Sequence, residues 1–395
     1  MRDKKLSIFI SHPSDFLTNY QPHGDGLIAF NFINKLAQRG HTIHIAVHSK
    51  DIKGDLPKNI KLYLVPLQTP SRLHSFEYIL RVRQLFNNIH QQDKVDIIHQ
   101  LNPVIRGLSV SLLKTGIPVV LGPFWINWPK DAETPKAKQS LRGTITSSLI
   151  EPLLEKFSQQ QQANAAALFV STPAAITQLY RPETNPQKIH QLSPGIDTTL
   201  FSPACRQDTR QETPTILFLA NLEQRKGIFT LLEAFENVAE TLPTCKLTIA
   251  GAGAATERVQ QQVSTMSCKS QILLLGRVER EEVPELMRQC SVYCLPSYGE
   301  PFGMSALEAM ACGKPVVATN AGGLAHLVPE QGGRKVAPKD AQALTEALLE
   351  ILTSPELQQK MGQYNCSIVE ATYSWERVIE KLECIYYSVR ESRHL

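Results

Sequence analysis

The sequence predicts an α/β chain built from two doubly wound domains. Short apolar segments of strand length alternate with amphipathic helical segments along the 395 residues, a pattern typical of parallel sheets covered on both faces. A polar, proline-bounded segment, Pro203–Pro214, interrupts this alternation, which restarts at Thr215. We therefore expect an N-terminal domain over residues 1–205, a C-terminal domain over 206–374, and a final helix over 375–395 that packs back on the N-terminal domain.

The elements of the first half follow from apolar periodicity. Gly26–Arg39 carries apolar residues at helical spacing, and Gly40 ends the helix. A further helix is expected over Phe76–Ile89 and another over Ile105–Lys114, whereas residues 123–166 show no strand pattern. The predicted strands are Leu6–Ser11, Thr42–Val47, Ile60–Pro66, Val95–His99, Pro118–Gly122, Ala167–Ser171 and Ile189–Leu192.

The second half repeats the alternation. The predicted strands are Thr215–Ala220, Lys246–Ala250, Ile272–Leu275, Val292–Leu295 and Pro315–Thr319. The predicted helices are Phe229–Leu242, Met304–Ala311, Ala341–Leu352 and Trp375–Glu391.

Composition narrows the classes of function. The net charge of +4 is too small for a dedicated nucleic-acid binder, so no nucleic-acid partner is expected. Eight cysteines occur without a CxxC pair, which favours a reducing compartment and disfavours a zinc or redox site. The apolar run near the N-terminus is too short for a signal peptide, and no window of about 18 apolar residues exists, so we expect a cytoplasmic protein.

The segment Ser297–Gly323 carries the strongest functional signal. Glu300 lies in the loop after the strand Val292–Leu295, and ligands of open α/β sheets bind at that edge. Glu308 lies one turn into the next helix. One carboxylate in the loop and one on the helix are suited to bind sugar and ribose hydroxyls. The alternative interpretation of this segment is an ordinary strand–loop–helix in which Glu308 is a solvated helix residue.

The start of the predicted helix Met304–Ala311 indicates an anion site between the two carboxylates. The backbone N–H groups of Gly303, Met304 and Ser305 open the helix, and free N–H groups together with the helix dipole attract phosphate. A nucleotide sugar needs this combination of diphosphate and hydroxyl ligands.

The same segment resembles the EX7E motif of the retaining GT-B glycosyltransferases of family 4. The spacing from Glu300 to Glu308, the run EAMACGKPVVAT and the Gly322-Gly323 turn carry the resemblance. It implies two Rossmann-like domains that face a central cleft, with the acceptor on the first and a nucleoside-diphosphate sugar on the second. It also implies transfer with retention of configuration and no catalytic metal or other cofactor, and the sequence has no Asp-x-Asp motif. In this family Glu300 holds the donor sugar and Glu308 the ribose.

The segment Ala220–Gly227 predicts cations beside the diphosphate. Arg225 and Lys226 precede a helix N-terminus, where they either meet phosphate or form a solvated basic turn. The family pattern has Gly-Arg where this chain has Ala220-Asn221. The resemblance therefore places Asn221 beside the donor. Without the family arginine, either Arg225 stabilises the leaving phosphate in its place or that stabilisation is weaker.

Four further residues match the family more loosely. Gly24 and Gly26 resemble the glycine loop that, in this family, approaches the donor phosphate. The alternative is a plain turn between the first strand and the first helix. His99 follows a strand where the family has His-x-His-x-Pro, with Leu101 at the second position here, and a structural histidine fits equally. Arg277 follows the Leu-Leu-Gly strand near a plausible nucleotide site.

Aromatic and basic residues share one stretch of the first half. Trp125 and Trp128 precede basic residues, and these either touch an anionic membrane surface or form ordinary packing with a solvated helix. The basic residues are Lys130, Lys136, Lys138 and Arg142.

Three functions are compatible with the sequence. The first is a glycosyltransferase that modifies a glycan, lipid-linked or small-molecule acceptor in cell-surface polysaccharide or glycoconjugate synthesis. The second is a catalytically weak nucleotide-sugar-binding partner subunit, which Asn221 and Leu101 motivate. The third, a sugar-nucleotide epimerase, fits the EX7E context less well. Because no residue is a convincing nucleophile, the expected mechanism is same-face transfer assisted by the departing phosphate, with Lys226 and Arg225 meeting its charge.

Overall fold

A computed structural model divides the chain into two compact units. Unit 1 comprises Met1–Trp125, Lys136–Gly195 and Val378–Leu395, and unit 2 comprises Ile126–Pro135 and Ile196–Arg377. The structure describes residues 5–13, 16–20, 24–69, 73–101, 107–129, 141–203 and 213–392, with backbone alone at 141–149. The boundary predicted at residues 205 and 206 lies outside the described residues.

Unit 1 is built on a parallel sheet of seven strands in the order β5-β3-β1-β6-β7-β8-β9. Its central strands β6 and β7 are buried along their whole length, and β1 is buried at all but its first residue, as expected of a sheet covered on both faces. In chain order its elements are β1 (Ser7–His12), β2 (Leu17–Thr18), α1 (Gly24–Gln38), β3 (Thr42–Val47), β4 (Lys50–Asp51), β5 (Ile60–Leu64), α2 (His74–Gln92), β6 (Ile97–Leu101), a 3₁₀ helix (Val110–Thr115), β7 (Val119–Phe124), α3 (Leu141–Asn164), β8 (Ala167–Val170) and β9 (Ile189–Gln191).

Unit 2 contains a second parallel sheet, of six strands in the order β12-β11-β10-β13-β14-β15. Because the order reverses direction beside β10, the loops after β10 and β13 lie next to each other at the carboxyl edge. In chain order its elements are β10 (Thr215–Leu219), α4 (Ile228–Thr241), β11 (Lys246–Ala250), α5 (Thr256–Thr265), β12 (Ile272–Gly276), α6 (Val283–Gln289), β13 (Val292–Leu295), α7 (Met304–Ala311), β14 (Val316–Thr319), α8 (Leu324–Leu327), β15 (Gly333–Val336), α9 (Ala341–Leu352) and α10 (Pro355–Ile368). The last helix, α11 (Trp375–Glu391), begins in unit 2 and belongs to unit 1 from Val378 onward.

These two sheets confirm the predicted pair of doubly wound α/β units, and all twelve predicted strands are present within a few residues of their expected bounds. The α-helix predicted over Ile105–Lys114 is wrong: the described part is a 3₁₀ helix, Val110–Thr115. Gly107 and Gly116 both adopt left-handed φ angles, which are incompatible with an α-helix and bound the segment at both ends. Residues 102–106 lie outside the description.

Helix α3 was not predicted. It fills much of the stretch without a strand pattern, and its apolar residues follow no continuous stripe along one face. Its sequence therefore lacks the periodicity on which helix prediction depends. Among the described residues, no helix is long and apolar enough to cross a membrane.

Helix α11 is fixed to unit 1 by a buried carboxylate. Glu383 accepts hydrogen bonds from Arg39 at 2.9 Å and from His41 Nε2 at 2.8 Å. The Leu6 N–H donates to His41 Nδ1, so the ring proton is on Nε2. Burial raises the pKa of Glu383, but the hydrogen bonds from Arg39 and His41 outweigh burial and hold it below its usual value.

Replacing this carboxylate should loosen α11. Glu383→Ala leaves the buried His41 N–H without its acceptor, and we expect the free energy of unfolding to fall by about 1–3 kcal/mol. Because the pKa of Glu383 is lowered in the folded state, its ionised form stabilises the folded chain at pH values above 4.5, the usual pKa of the group. This stabilisation is lost as the pH falls through the folded-state pKa. The difference from wild type should therefore narrow in urea titrations below about pH 4.5.

The matched control is Glu391→Ala, which removes an exposed carboxylate from the same helix. It should leave the unfolding midpoint close to wild type. Equal midpoints for the two variants would contradict the role assigned to Glu383.

Candidate active site

The loop between β13 and α7 holds Glu300 against a lysine from a distant turn. The Lys226 ammonium donates to Glu300 Oε2 at 2.6 Å, and both side chains are mostly buried, with exposed fractions of 15% and 13%. Since Lys226 lies in the turn after β10, the pair joins the carboxyl ends of two neighbouring strands. The sequence prediction named both residues but not their contact.

Backbone packing brings these two loops together. Gly227 has a left-handed φ of 76°, and a Cβ built there would lie 1.8 Å from the Pro296 carbonyl oxygen. The Arg225 carbonyl accepts from the Tyr298 N–H at 2.9 Å and from the Ser297 hydroxyl at 3.1 Å. Only glycine permits this approach, and the approach places Lys226 beside Glu300.

The predicted Gly322-Gly323 turn supports the loop from its other side. The Gly323 N–H donates to the Glu300 carbonyl at 2.6 Å. A Cβ on Gly322 would lie 2.4 Å from the same carbonyl oxygen. The backbone of Glu300 is therefore fixed by a turn that has no room for side chains.

Helix α7 begins directly after the Glu300 loop. Gly303 occupies the N-cap position, and Met304 and Ser305 form the first turn, whose N–H groups have no acceptor within a helix. The Tyr293 hydroxyl lies 2.7 Å from the Ser305 hydroxyl and 3.0 Å from the Leu219 carbonyl. The first turn of α7 thus has N–H groups that can bind an anion, and its Ser305 hydroxyl contacts the buried Tyr293 hydroxyl.

The hydroxyl group of Tyr293 interacts electrostatically with both carboxylates. Burial raises the pKa of its hydroxyl well above the usual value, and the charges of Glu308 and Glu300 add to that shift. Both carboxylates therefore act on the same buried hydroxyl. Tyr293 was missed by sequence analysis because a tyrosine inside a buried strand carries no functional signal.

Glu308 is buried on α7 and paired with an arginine. Its Oε1 accepts from Arg280 Nη1 at 2.9 Å, and its side chain is 5% exposed while that of Arg280 is 45% exposed. Burial raises the pKa of Glu308, and the Arg280 charge and hydrogen bond oppose that rise. Arg280 was also missed, since an exposed arginine in a charged loop resembles any solvated residue.

Arg225 and Lys226 both contact the indole ring of Trp128. The Arg225 guanidinium lies 4.2 Å from the ring centroid and the Lys226 ammonium 4.8 Å. Arg225 also pairs with Glu223. The structure therefore favours the packing alternative for Trp128 over the membrane alternative. Lys130, Lys136 and Lys138, and the side chain of Arg142, lie outside the described residues.

Four other predicted site residues lie on elements other than the Glu300 loop. Asn221 is exposed just after β10, and Arg277 is exposed just after β12. Gly24 and Gly26 lie in the first turn of α1 in unit 1, and the preceding residues 21–23 are not described.

His99 is a buried residue of unit 1. Its Nε2 lies 3.0 Å from the Gly122 carbonyl oxygen and its Nδ1 2.6 Å from the Tyr386 hydroxyl. Since a carbonyl only accepts, Nε2 donates to Gly122 and Nδ1 accepts from Tyr386. Burial lowers the pKa of His99 to about 4, although the Gly122 carbonyl opposes the shift. This geometry supports the structural alternative and gives no support to the catalytic role expected for His99.

Within the part of the chain that the structure describes, no group of three or more His, Cys, Asp or Glu side chains is arranged to hold a metal ion.

Two family models match the chain on either side of residue 205. The model described as "Glycosyl transferases group 1" matches residues 206–367, and "Glycosyltransferase Family 4" matches residues 24–200. The chain belongs to the family 4 glycosyltransferases of the GT-B fold. The second match covers most of unit 1, and the first includes Lys226, Glu300 and Glu308.

Curated relatives of this family 4 glycosyltransferase include two enzymes with different names. It is 30% identical over 247 residues to a "D-inositol 3-phosphate glycosyltransferase" of Corynebacterium diphtheriae, a match covering 58% of this chain and 57% of that protein. It is 23% identical over 382 residues to the "Phosphatidylinositol N-acetylglucosaminyltransferase gpi3 subunit" of Schizosaccharomyces pombe, covering 95% and 80%.

A solved structure confirms the fold of the glycosyltransferase. Anabaena Alr3699/HepE, solved in complex with UDP, matches with a TM-score of 0.69 at 18% identity, covering 98% of this chain and 99% of that one. The identity is low, so the likeness supports the GT-B fold alone.

Removing Arg280 should leave a buried charge without its partner. We expect Arg280→Ala to lower the free energy of unfolding at pH 7 by about 1–2 kcal/mol, a range reduced for the partial exposure of Arg280. The substitution raises the pKa of Glu308 further. The loss should therefore grow as the pH rises above 4.5 and disappear where Glu308 is protonated.

Urea titrations at several pH values measure this difference. Arg288→Ala is the matched control, because it removes an arginine paired with the exposed Glu285. It should cost at most about 0.5 kcal/mol at any pH. A pH-independent loss in Arg280→Ala would contradict the pairing.

Proposed function

We propose that this chain transfers a sugar from a nucleoside-diphosphate sugar to an acceptor, with retention of anomeric configuration and without a metal ion. The observation that carries the proposal is the 2.6 Å contact between Lys226 and Glu300 directly before the N-terminus of α7. A cation, a carboxylate and free amide groups are thus grouped where an α/β sheet binds its ligands.

The donor diphosphate binds to the first turn of α7. The N–H groups of Gly303, Met304 and Ser305 take phosphate oxygens, and Lys226 and Arg225 neutralise the charge that develops as the sugar leaves. These two cations also replace the family arginine, since Asn221 stands at its position. The UDP complex of the Anabaena relative supports a nucleotide ligand for this fold.

The two carboxylates bind the hydroxyl groups of the donor. Glu308 accepts from the ribose, and its burial strengthens hydrogen bonds to a ligand that excludes water. Glu300 accepts from the transferred sugar and stabilises positive charge near the anomeric carbon. Its pairing with Lys226 keeps the sugar-binding carboxylate next to the phosphate-binding ammonium.

Retention is the outcome that the EX7E segment implies for the proposed reaction. Glu300 is assigned to the donor sugar, and both ring nitrogens of His99 are in hydrogen bonds within unit 1, so the proposal uses neither residue as a base for the acceptor. We therefore propose that the acceptor approaches on the face of the departing phosphate, which takes its proton.

The acceptor is a sugar, a small molecule or a lipid-linked glycan. The inositol-phosphate enzyme and the phosphatidylinositol enzyme among the relatives support hydroxyl groups on polar or lipid-linked carriers. We place the reaction in cell-surface polysaccharide or glycoconjugate synthesis. A catalytically weak partner subunit is the second candidate, because Asn221 removes one phosphate-binding cation.

Binding and transfer measured in EDTA test the proposal. One of UDP, GDP and ADP should bind wild type by calorimetry, and Glu308→Ala should weaken that binding by at least about tenfold, since hydrogen bonds to a charged group are lost. Glu300→Gln should lower transfer from the corresponding sugar nucleotide by about 100-fold. Nuclear magnetic resonance of the product should show the donor's anomeric configuration.

Glu285→Gln on the exposed face of α6 is the control and should change neither readout. An inverted product, or transfer that ceases in EDTA and returns with a divalent cation, would contradict the mechanism. Normal nucleotide binding without any transfer would favour the partner-subunit candidate.

A further inference from the structure

The segment Ile126–Pro129 belongs to unit 2 although it lies about 100 positions before the rest of the site. Pro129 packs on Gly299, where a Cβ would lie 2.5 Å from the proline Cδ and Cγ atoms. Gly299 directly precedes Glu300. The segment is therefore held against the loop that carries the sugar-binding carboxylate.

This placement sets the Trp128 ring beside both phosphate-binding cations. Arg225 and Lys226 lie 4.2 and 4.8 Å from its centroid, and Trp128 is half-buried. Lys226 has two attractive partners, the ring and the Glu300 carboxylate. Arg225 likewise contacts both the ring and Glu223. Each cation thus has two attractive partners within unit 2.

An aromatic face suits this task better than another carboxylate. Indole attracts cations through its ring quadrupole and is the strongest aromatic partner for them. It carries no net charge, so it orders the two side chains without cancelling the positive charge that a diphosphate needs. Long flexible side chains that are ordered beforehand lose less entropy when the ligand binds.

We propose that Trp128 is a positioning residue for the donor diphosphate, acting through Arg225 and Lys226. This rests on the proposed function, because it assumes that the two cations meet a nucleoside diphosphate. Trp128 contributes to recognition of the phosphates and not of the base or ribose. A ring that instead blocked the cations would weaken binding, so the sign of the effect of its removal separates the two roles.

Three variants test the proposal. Trp128→Leu removes the aromatic face, Trp128→Phe keeps a weaker one, and Phe229→Leu removes a comparable contact at 4.5 Å with Arg258 in the same unit. Calorimetry with UDP, GDP and ADP gives the diphosphate affinities. Competition with uridine, guanosine and adenosine gives the affinities of the same ligands without phosphates.

Trp128→Leu should weaken binding of the preferred nucleoside diphosphate by about three- to tenfold, with Trp128→Phe intermediate and Phe229→Leu unchanged. The affinity for the matching nucleoside should stay at the wild-type value in all three. An equal loss for nucleoside and diphosphate would assign Trp128 a merely structural role and overturn the proposal. Tighter binding in Trp128→Leu would overturn it in favour of a blocking ring.

Tryptophan fluorescence gives a second readout that does not depend on the leucine variant folding. The nucleotide that binds should change the emission of wild type as the two cations turn to the phosphates, and Trp128→Phe should lose that change. An unchanged response in Trp128→Phe overturns the positioning role while leaving the donor site in place. Failure of all three nucleotides to bind wild type overturns the proposed function as well.

Discussion

The site in unit 2 depends on chain segments that pack backbone against backbone with no room for a side chain between them. Gly227 lies against the carbonyl of Pro296, and Gly322 lies against the carbonyl of Glu300. These contacts fix the Glu300 loop from both sides, so its carboxylate meets Lys226 at 2.6 Å. A Cβ at either position would clash with a backbone carbonyl and require the loops to move apart.

The charges of the site are paired with one another within unit 2. Lys226 pairs with Glu300, Arg225 with Glu223, and Arg280 with Glu308. In each pair, the cation comes either from a distant part of the sequence or from the same turn as the carboxylate. Each of these three carboxylates therefore has a cationic partner, and an unpaired buried charge would lower the free energy of unfolding. A diphosphate with its sugar supplies both an anion for the cations and hydroxyl groups for the carboxylates. The same side chains can therefore exchange partners when the donor binds.

Much of this architecture could be predicted from sequence because its signals are local. The strand, loop and helix around Glu300 follow from a few adjacent apolar and glycine residues, and the two-unit organisation follows from their repetition. The partners could not be predicted, because Trp128 lies about 100 positions from Lys226, and Tyr386 lies 287 positions from His99. The role expected of His99 was unsupported for that reason: a strand-end histidine looks the same whether its ring faces a ligand or a buried tyrosine. Helix α3 escaped prediction because its apolar residues form no continuous stripe.

The central claim is that the Glu300 loop, Lys226 and the first turn of α7 form one donor site. A crystal structure with UDP, GDP or ADP, whichever binds, tests it most directly. We expect diphosphate oxygens within hydrogen-bond distance of the N–H groups at residues 303–305 and of the Lys226 ammonium, with the ribose hydroxyls on Glu308. A diphosphate bound where it leaves Lys226 and the first turn of α7 without a ligand contact would contradict this assignment.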